Sequence, residues 1–491
     1  MCLLFSMWFF SGVVMMYVSF PELTNEEYYA GLSSIEPENI TVSPETFLKK
    51  IPDKSSLVQF TMTTVAKRPI YLAKHSDHSW QGMYADNGSL LENTTATQAI
   101  ESAQVFYQNQ HPEKAYSALY QTQIDVDQWS LSSALNSHRP LHLVSIKDRA
   151  HTQLYISSKT GQVVRDTTGS ERMWNWLGSN LHWIYPLALR KHGALWANTI
   201  IVLSLTGLLL IITGAIVGLQ LLRLKRRYKN NEITPYRGIS RYHHILGLVM
   251  GVFLFTYMFS GLMSMSPWGL FDAKSSFDEQ VQRYTQDKGL RQPKWSYNTV
   301  QEIQKLLSES GETKQLTWHW IQGKSYLTGQ STPSNTTVYS RESAQKKFLS
   351  REIELAVKNL IPDAEIASHQ QLNQYDAYYY SHHKRFHPLP ILRVKFNDSE
   401  STWFHIDLNT GVVIERKTLK NRVQRWLYNG LHSLDFSLLI QHRPLWDVIV
   451  VSLCTIGLIF SITSIAIGWR RIKRQNRKKV NKPIPSSSPS V

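Results

Sequence analysis

The chain has 491 residues, a formal net charge of +16 at pH 7 and only two cysteines. That length allows two or more domains with their own cores, while two cysteines exclude a disulfide framework, a cysteine zinc site and covalent c-type haem attachment. The basic excess would suit nucleic acid, but 14 of the +16 falls in residues 223–244 and 470–491, beside apolar runs. There the positive-inside rule accounts for it, with no nucleic-acid partner.

Four apolar runs, residues 1–20, 197–222, 245–266 and 448–469, contain no Asp, Glu, Lys or Arg. Crossing a bilayer takes roughly 20 apolar residues in a helix, because only a helix satisfies its own backbone in lipid. Each run is therefore expected to be a transmembrane helix. The first begins at Met1 with no basic flank and no cleavage pattern, so it reads as a transmembrane helix lacking its cytoplasmic start rather than as a signal peptide.

With the basic loop 223–244 and the basic tail 470–491 placed in the cytoplasm, residues 21–196 and 267–447 lie outside it. Both long segments read as α+β. Helical patterns over residues 45–51, 97–108 and 343–360 alternate with β-rich stretches at 141–146 and 391–396. Two hairpins are legible, 154–156 turning through Lys159-Thr160-Gly161 into Val163-Val164, and 403–406 turning through Asn409-Thr410-Gly411 into Val413-Ile414.

The two halves match each other. At an offset of 250, Pro140, Val144, Asp148 and Thr160-Gly161 recur as Pro390, Val394, Asp398 and Thr410-Gly411. The register continues from Arg172, Trp176, His182, His192 and Trp196 to Arg422, Trp426, His432, His442 and Trp446, and from Gly207, Thr213 and Gly218 to Gly457, Thr463 and Gly468. Phe10-Ser11-Gly12 recurs as Phe259-Ser260-Gly261 at 249. The expected fold is an α-helical membrane protein of four transmembrane helices and two extracytoplasmic α+β domains, internally duplicated at about 250 residues. The repeated small residues, with Gly247/Gly251 and Gly214/Gly218 at GxxxG spacing, are expected to let helices approach closely.

The stretches FHIDLNTGVVIE (404–415), RWLYNGLHSLDF (425–436), HHILGLVMGVFLFTYMFSGLMSM (243–265) and SGVVMMYV (11–18) resemble the PepSY-associated transmembrane helix family of iron-regulated membrane proteins and ferric-siderophore reductases. The resemblance covers nearly the whole chain and makes the two external segments PepSY-like domains. It implies a multi-pass protein of the bacterial inner membrane that holds haem b between helices. Electrons from a quinol or a cytoplasmic reductase would cross to a ferric siderophore outside.

A b-type haem in a bundle needs imidazoles entering from opposite sides of the ring. The repeated pairs His182/His432 and His192/His442 are candidates, though interfacial anchoring is the competing role for such His and Trp residues. The family pattern adds His243, four residues before Gly247. Its counterpart in the first half would precede Met1, so either the start lies upstream, or the haem on that side is held differently or not at all. Asp435 is a candidate orienting acceptor for His432. Methionines 15, 16, 258, 263 and 265 read as packing rather than thioether ligands.

Outside the membrane, Tyr378-Tyr379-Tyr380 with His382, His383, Arg385 and His387 form an aromatic-basic cluster in which Tyr380, His383 and Arg385 are candidate contacts for an anionic siderophore. Two further functions compete. One is a non-catalytic PepSY membrane module binding an external protein or peptide, in keeping with the absence of a G-x-G-x-x-G motif. The other, a transporter, is suggested by the repeat, but its helices lack intramembrane charge.

Overall fold

The computed structural model describes residues 1–53, 56–285, 296–339, 350–381 and 386–480. They divide into a helical unit (Met1–Phe20, Trp174–Leu270, Gln424–Val491) and a β-rich unit (Pro21–Met173, Phe271–Val423).

Three helices of the helical unit are long and apolar enough to cross a membrane: Gly193–Leu221, Ile239–Ser264 and Leu445–Asn476. With the shorter apolar helix α1 (Cys2–Tyr17), they are α2 (Gly193–Leu221), α3 (Ile239–Ser264) and α4 (Leu445–Val480). The first run was expected to be helical over residues 1–20. It stops at 16 residues, about 24 Å at 1.5 Å per residue. Pro21 disfavours helical backbone at Phe20, and the chain is already extended at Val18. At the other end of the chain, α4 continues past the expected residue 469 through a run of Lys and Arg, good helix formers that also suit the negative end of the helix dipole.

Helix α1 packs on α4, α2 on α3, and α3 on α4. The first two contacts correspond at Gly207 and Gly457. A Cβ at Gly207 would lie 2.9 Å from Met258 of α3, and one at Gly457 would lie 2.5 Å from Phe9 of α1. Phe9 and Met258 are themselves 249 positions apart. Of the GxxxG pairs, Gly218 is crowded by Leu248 and Gly247 by Phe460, whereas nothing lies within 4 Å of a Cβ at Gly214 or Gly251. The expected helix-packing role thus holds for one glycine of each pair.

The β-rich unit contains strands β1 (Leu57–Val65), β2 (Arg68–His75), β3 (Trp80–Tyr84), β4 (Leu90–Leu91), β5 (Ala118–Ile124), β6 (Leu141–Ile146), β7 (Gln153–Ser157) and β8 (Val163–Thr167). It continues with β9 (Gln315–Ile321), β10 (Lys324–Thr332), β11 (Asn335–Tyr339), β12 (Ile366–Leu372), β13 (Ile391–Phe396), β14 (Trp403–Asp407) and β15 (Val413–Lys417). Two antiparallel sheets run β5-β6-β7-β8 and β12-β13-β14-β15. Their last three strands begin at 141, 153 and 163 and at 391, 403 and 413, a constant displacement of 250.

Each of these sheets buries one face under helices. Val144, Leu154 and Ile156 meet Ala99, Ala103 and Phe106 of helix Ala96–Gln110, and Val394, Phe404 and Ile406 meet Ile353 and Val357 of helix Ser350–Val357. Full burial of such side chains stabilises by roughly 1.5–3 kcal/mol each. Helix Ala96–Gln110, expected over 97–108, starts at a capping box of Thr95 and Gln98. Residues 343–349 of the helix expected over 343–360 lie outside the described residues. The turn glycines behave as expected, Gly161 at φ +70° and Gly411 at φ +67°. Each also has no room for a Cβ, which would meet Val65 at 2.8 Å or Ile321 at 2.5 Å.

The third sheet draws on both halves of the chain in the order β11-β10-β9-β1-β2-β3-β4. Strands β1 and β9 pair antiparallel through Phe60↔Trp318, Thr61↔Thr317 and Met62↔Leu316. Periodicity within either half does not foretell this joint. The ring of Trp318 sits 4.8 Å from Phe60 and 6.4 Å from Tyr71, in a core closed by Phe47, Ile303 and Leu306.

Candidate functional site

His182 ends the short helix Ser179–His182, and His432 lies in the short helix Leu431–Ser433. The tryptophans that the repeat pairs clamp both segments. The indole N–H of Trp196 donates to the Trp183 carbonyl at 3.0 Å, and that of Trp446 to the Ser433 carbonyl at 2.8 Å. Trp8 of α1 adds an indole bond to the His182 carbonyl at 2.9 Å. These rings therefore hold the histidine-bearing turns, a more specific duty than interfacial anchoring.

The two imidazoles come together, with ring centroids 6.0 Å apart and planes 74° apart. His182 Nδ1 lies 3.1 Å from Ser11 Oγ, and His432 Nδ1 lies 3.0 Å from Ser260 Oγ. Both serines are fully buried. The neighbouring glycines seat the rings, since a Cβ at Gly12 would lie 3.4 Å from His182 Cε1 and one at Gly261 would lie 3.7 Å from His432 Cε1. The Ser-Gly repeat, expected to bring helices together, thus receives an imidazole instead.

Two imidazoles ligating one iron from opposite sides place their centroids roughly 6 Å apart, the sum of two metal–nitrogen bonds of about 2 Å and two half-rings. The pair meets that spacing. Beside it the Tyr257 hydroxyl is buried with no hydrogen-bond partner among the described residues, its ring 6.0 Å from His432. Among the described residues no group of three or more His, Cys, Asp or Glu side chains is arranged for a metal ion. A two-imidazole donor set is what the helical unit offers.

The other candidates are placed differently. His192 and His442 are exposed, and His442 Nδ1 donates to the Leu438 carbonyl at 2.7 Å. Asp435 does not orient His432. It pairs with Arg425 at 3.2 Å, while Ser260 takes the imidazole bond, a partner that both halves share. His243 stacks on Phe460 at 4.5 Å with its Nδ1 2.9 Å from Thr463 Oγ1. His244 has both nitrogens engaged, by Thr234 at 2.7 Å and the Gly218 carbonyl at 2.8 Å, and ties the preceding loop to α2. Met258 fills the space at Gly207, in keeping with packing.

In the β-rich unit the tyrosine cluster is largely built into the fold. Tyr379 is buried and donates to the Pro388 carbonyl at 2.8 Å, and Tyr378 packs edge-on against Trp403. Tyr380 is half-buried, and His383 and Arg385 lie outside the described residues. Beneath the cluster, Asp376 takes two bonds from Arg393, at 2.6 and 2.9 Å. Arg393 Nε donates to His405 Nε2 at 2.7 Å, so the His405 proton sits on Nδ1 and is donated to Glu415 at 2.9 Å.

Burial would raise the Asp376 carboxyl, but bonds from Arg393 and the N–H groups of Tyr378 and Tyr379 outweigh it and hold it below its usual range. Glu415, opposed in the same way by burial, is lowered by His405 and Lys417. Carboxylates with lowered folded-state pKa contribute stability that is present above their unfolded values, about 4, and lost as the pH falls below them. The β-structure melt of the full chain is therefore expected to shift down in temperature between about pH 5 and pH 3. Asp376→Asn is expected to remove part of that dependence, and melts followed by circular dichroism measure both.

The sequence alone did not single out Ser11, Ser260, Thr463, Trp8 or Tyr257 as neighbours of the histidines, although the recurrence of Ser-Gly in step with the recurring histidine was a usable signal. Comparison of the chain with protein-family models and with curated proteins finds no match.

Proposed function

We propose that the chain is a membrane-bound electron-transfer protein holding haem b between His182 and His432, and that it reduces a ferric chelate, such as a ferric siderophore, for iron acquisition. The observation that carries this reading is the pair of imidazoles 6.0 Å apart, one from each half of the chain. The haem would supply one-electron chemistry. The chain's own residues hold the two imidazoles: Trp196 and Trp446 fix the turns that bear them, Gly12 and Gly261 leave room for the rings, and the apolar helices exclude water.

The constant displacement of 250 between corresponding strands supports an internal duplication, and the resemblance of the recurring motifs supports membership of the PepSY-associated transmembrane helix family. On this reading α1 is the fourth span. The basic segments 223–244 and 470–491 face the cytoplasm of a bacterial inner membrane, and the β-rich unit lies outside. His243 and Ser260 are 17 residues apart on α3, about 25 Å along a helix. His243 thus stands as a second histidine station toward the cytoplasmic side, where a quinol or a cytoplasmic reductase would deliver electrons.

A reduced-minus-oxidised difference spectrum of the full-length protein, purified from haem-replete cells, tests the reading. The expected result is a b-type spectrum. Absence of b-type bands would overturn it in favour of a non-catalytic module that binds an external protein or peptide.

A further inference from the structure

We propose that Ser11 and Ser260 are positioning residues that hold His182 and His432 as their Nδ1–H tautomers, so that each imidazole offers its Nε2 lone pair to the iron. The inference rests on the haem reading above and deepens it. It starts from proton counting. A serine hydroxyl has one proton to give.

The Ser11 hydroxyl lies 2.6 Å from the Met7 carbonyl, with the Trp8 carbonyl at 3.3 Å, and the Ser260 hydroxyl lies 3.0 Å from the Tyr257 carbonyl. Carbonyls only accept, so each hydroxyl proton is committed to the helix backbone. The remaining contact, oxygen to Nδ1, then requires the imidazole to donate. A neutral imidazole that donates from Nδ1 carries its lone pair on Nε2. Protonating both nitrogens would put a second buried charge 6.0 Å from its twin, which a low-dielectric bundle disfavours.

The device occurs a third time. Thr463 Oγ1 donates to the Phe460 carbonyl at 2.6 Å and faces His243 Nδ1 at 2.9 Å, which assigns the same tautomer there. It is missing at His244, where both nitrogens are bonded within the protein. It is also missing at Thr213, the counterpart of Thr463, whose hydroxyl bonds only to the Leu209 and Leu210 carbonyls. A helix hydroxyl that has spent its proton on its own backbone therefore marks which histidines of the helical unit are prepared as Nε2 ligands. Such supporting bonds fix ring orientation and raise ligand basicity.

The test uses full-length protein labelled with ¹⁵N-histidine, prepared without haem, in wild-type form and as Ser11→Ala, Ser260→Ala, Ser11→Thr and Ser260→Thr. Imidazole nitrogen shifts in solid-state NMR report the tautomer directly. Each alanine variant is expected to move one histidine signal from the Nδ1–H to the Nε2–H class. Each threonine variant, which keeps the hydroxyl, and Thr213→Ala should retain the wild-type pattern. Titration with haemin should then show affinity weakened roughly 10–100-fold in the alanine variants, with a shifted midpoint potential.

Alanine variants that keep the wild-type nitrogen pattern would overturn the proposal. If the NMR change appears but wild-type protein takes up no haemin, the tautomer assignment stands and the haem reading fails. If haemin binds to wild-type protein with the nitrogen pattern indifferent to Ser11 and Ser260, the haem reading stands and this proposal fails.

Discussion

Replacing either His182 or His432 by alanine is expected to lower haem retention more than about 100-fold, since losing even a supporting partner of a metal ligand costs roughly 10–100-fold. The two single variants should be equally deficient, because one iron between two imidazoles needs both. The double variant should be no worse than either single one, the non-additivity expected of residues that act as a unit. His192→Ala and His442→Ala serve as controls, since both side chains are exposed. Pyridine haemochrome content per protein after detergent washing measures the effect. Full haem content in His432→Ala would remove the pair as the ligand set.

The second large effect concerns stability. Trp318→Ala removes a side chain only 2% exposed that fills the joint between β1 and β9 and donates its indole N–H to the Ser296 carbonyl at 3.0 Å. A buried Trp→Ala change costs about 3–5 kcal/mol, as lost burial plus the cavity left behind. Leu119→Ala on β5, half exposed, should stay within about 0.5 kcal/mol. Limited proteolysis and thermal melts of the full chain compare the two. A Trp318→Ala cost near that of Leu119→Ala would mean that the Phe60–Trp318 contact does not hold the seven-stranded sheet together.

The two effects lie in different units but share a feature: in each, one half of the chain supplies what the other lacks. Edge strand β1 finds its partner in β9, whose register pairs Thr61 with Thr317. The imidazole from the first half finds its partner in the second. Reading either half alone gives a strand with an unpaired edge and a histidine beside an apolar helix. Neither is informative until the other half is in place.

Local order was readable from composition and period. Strands β6 and β13, the hairpins at Gly161 and Gly411, helices at the patterns read over 45–51 and 97–108, and three long apolar helices all follow from interactions within a few residues: alternation of side chains, helical periodicity, glycine at positive φ and uncharged length. The recurrence of motifs 250 apart also lay in the sequence, and it picked out His182 and His432 together. What the chain alone left undecided was whether those histidines come together, and which side chains they touch. The answer depends on side chains 171 and 172 residues away, Ser11 and Ser260, whose hydroxyl protons are spent on their own helices. Such contacts are set by how helices pack, through Gly12, Gly261, Gly207 and Gly457. Tertiary packing, and no periodicity along the chain, decided that two repeated histidines lie with ring centroids 6.0 Å apart.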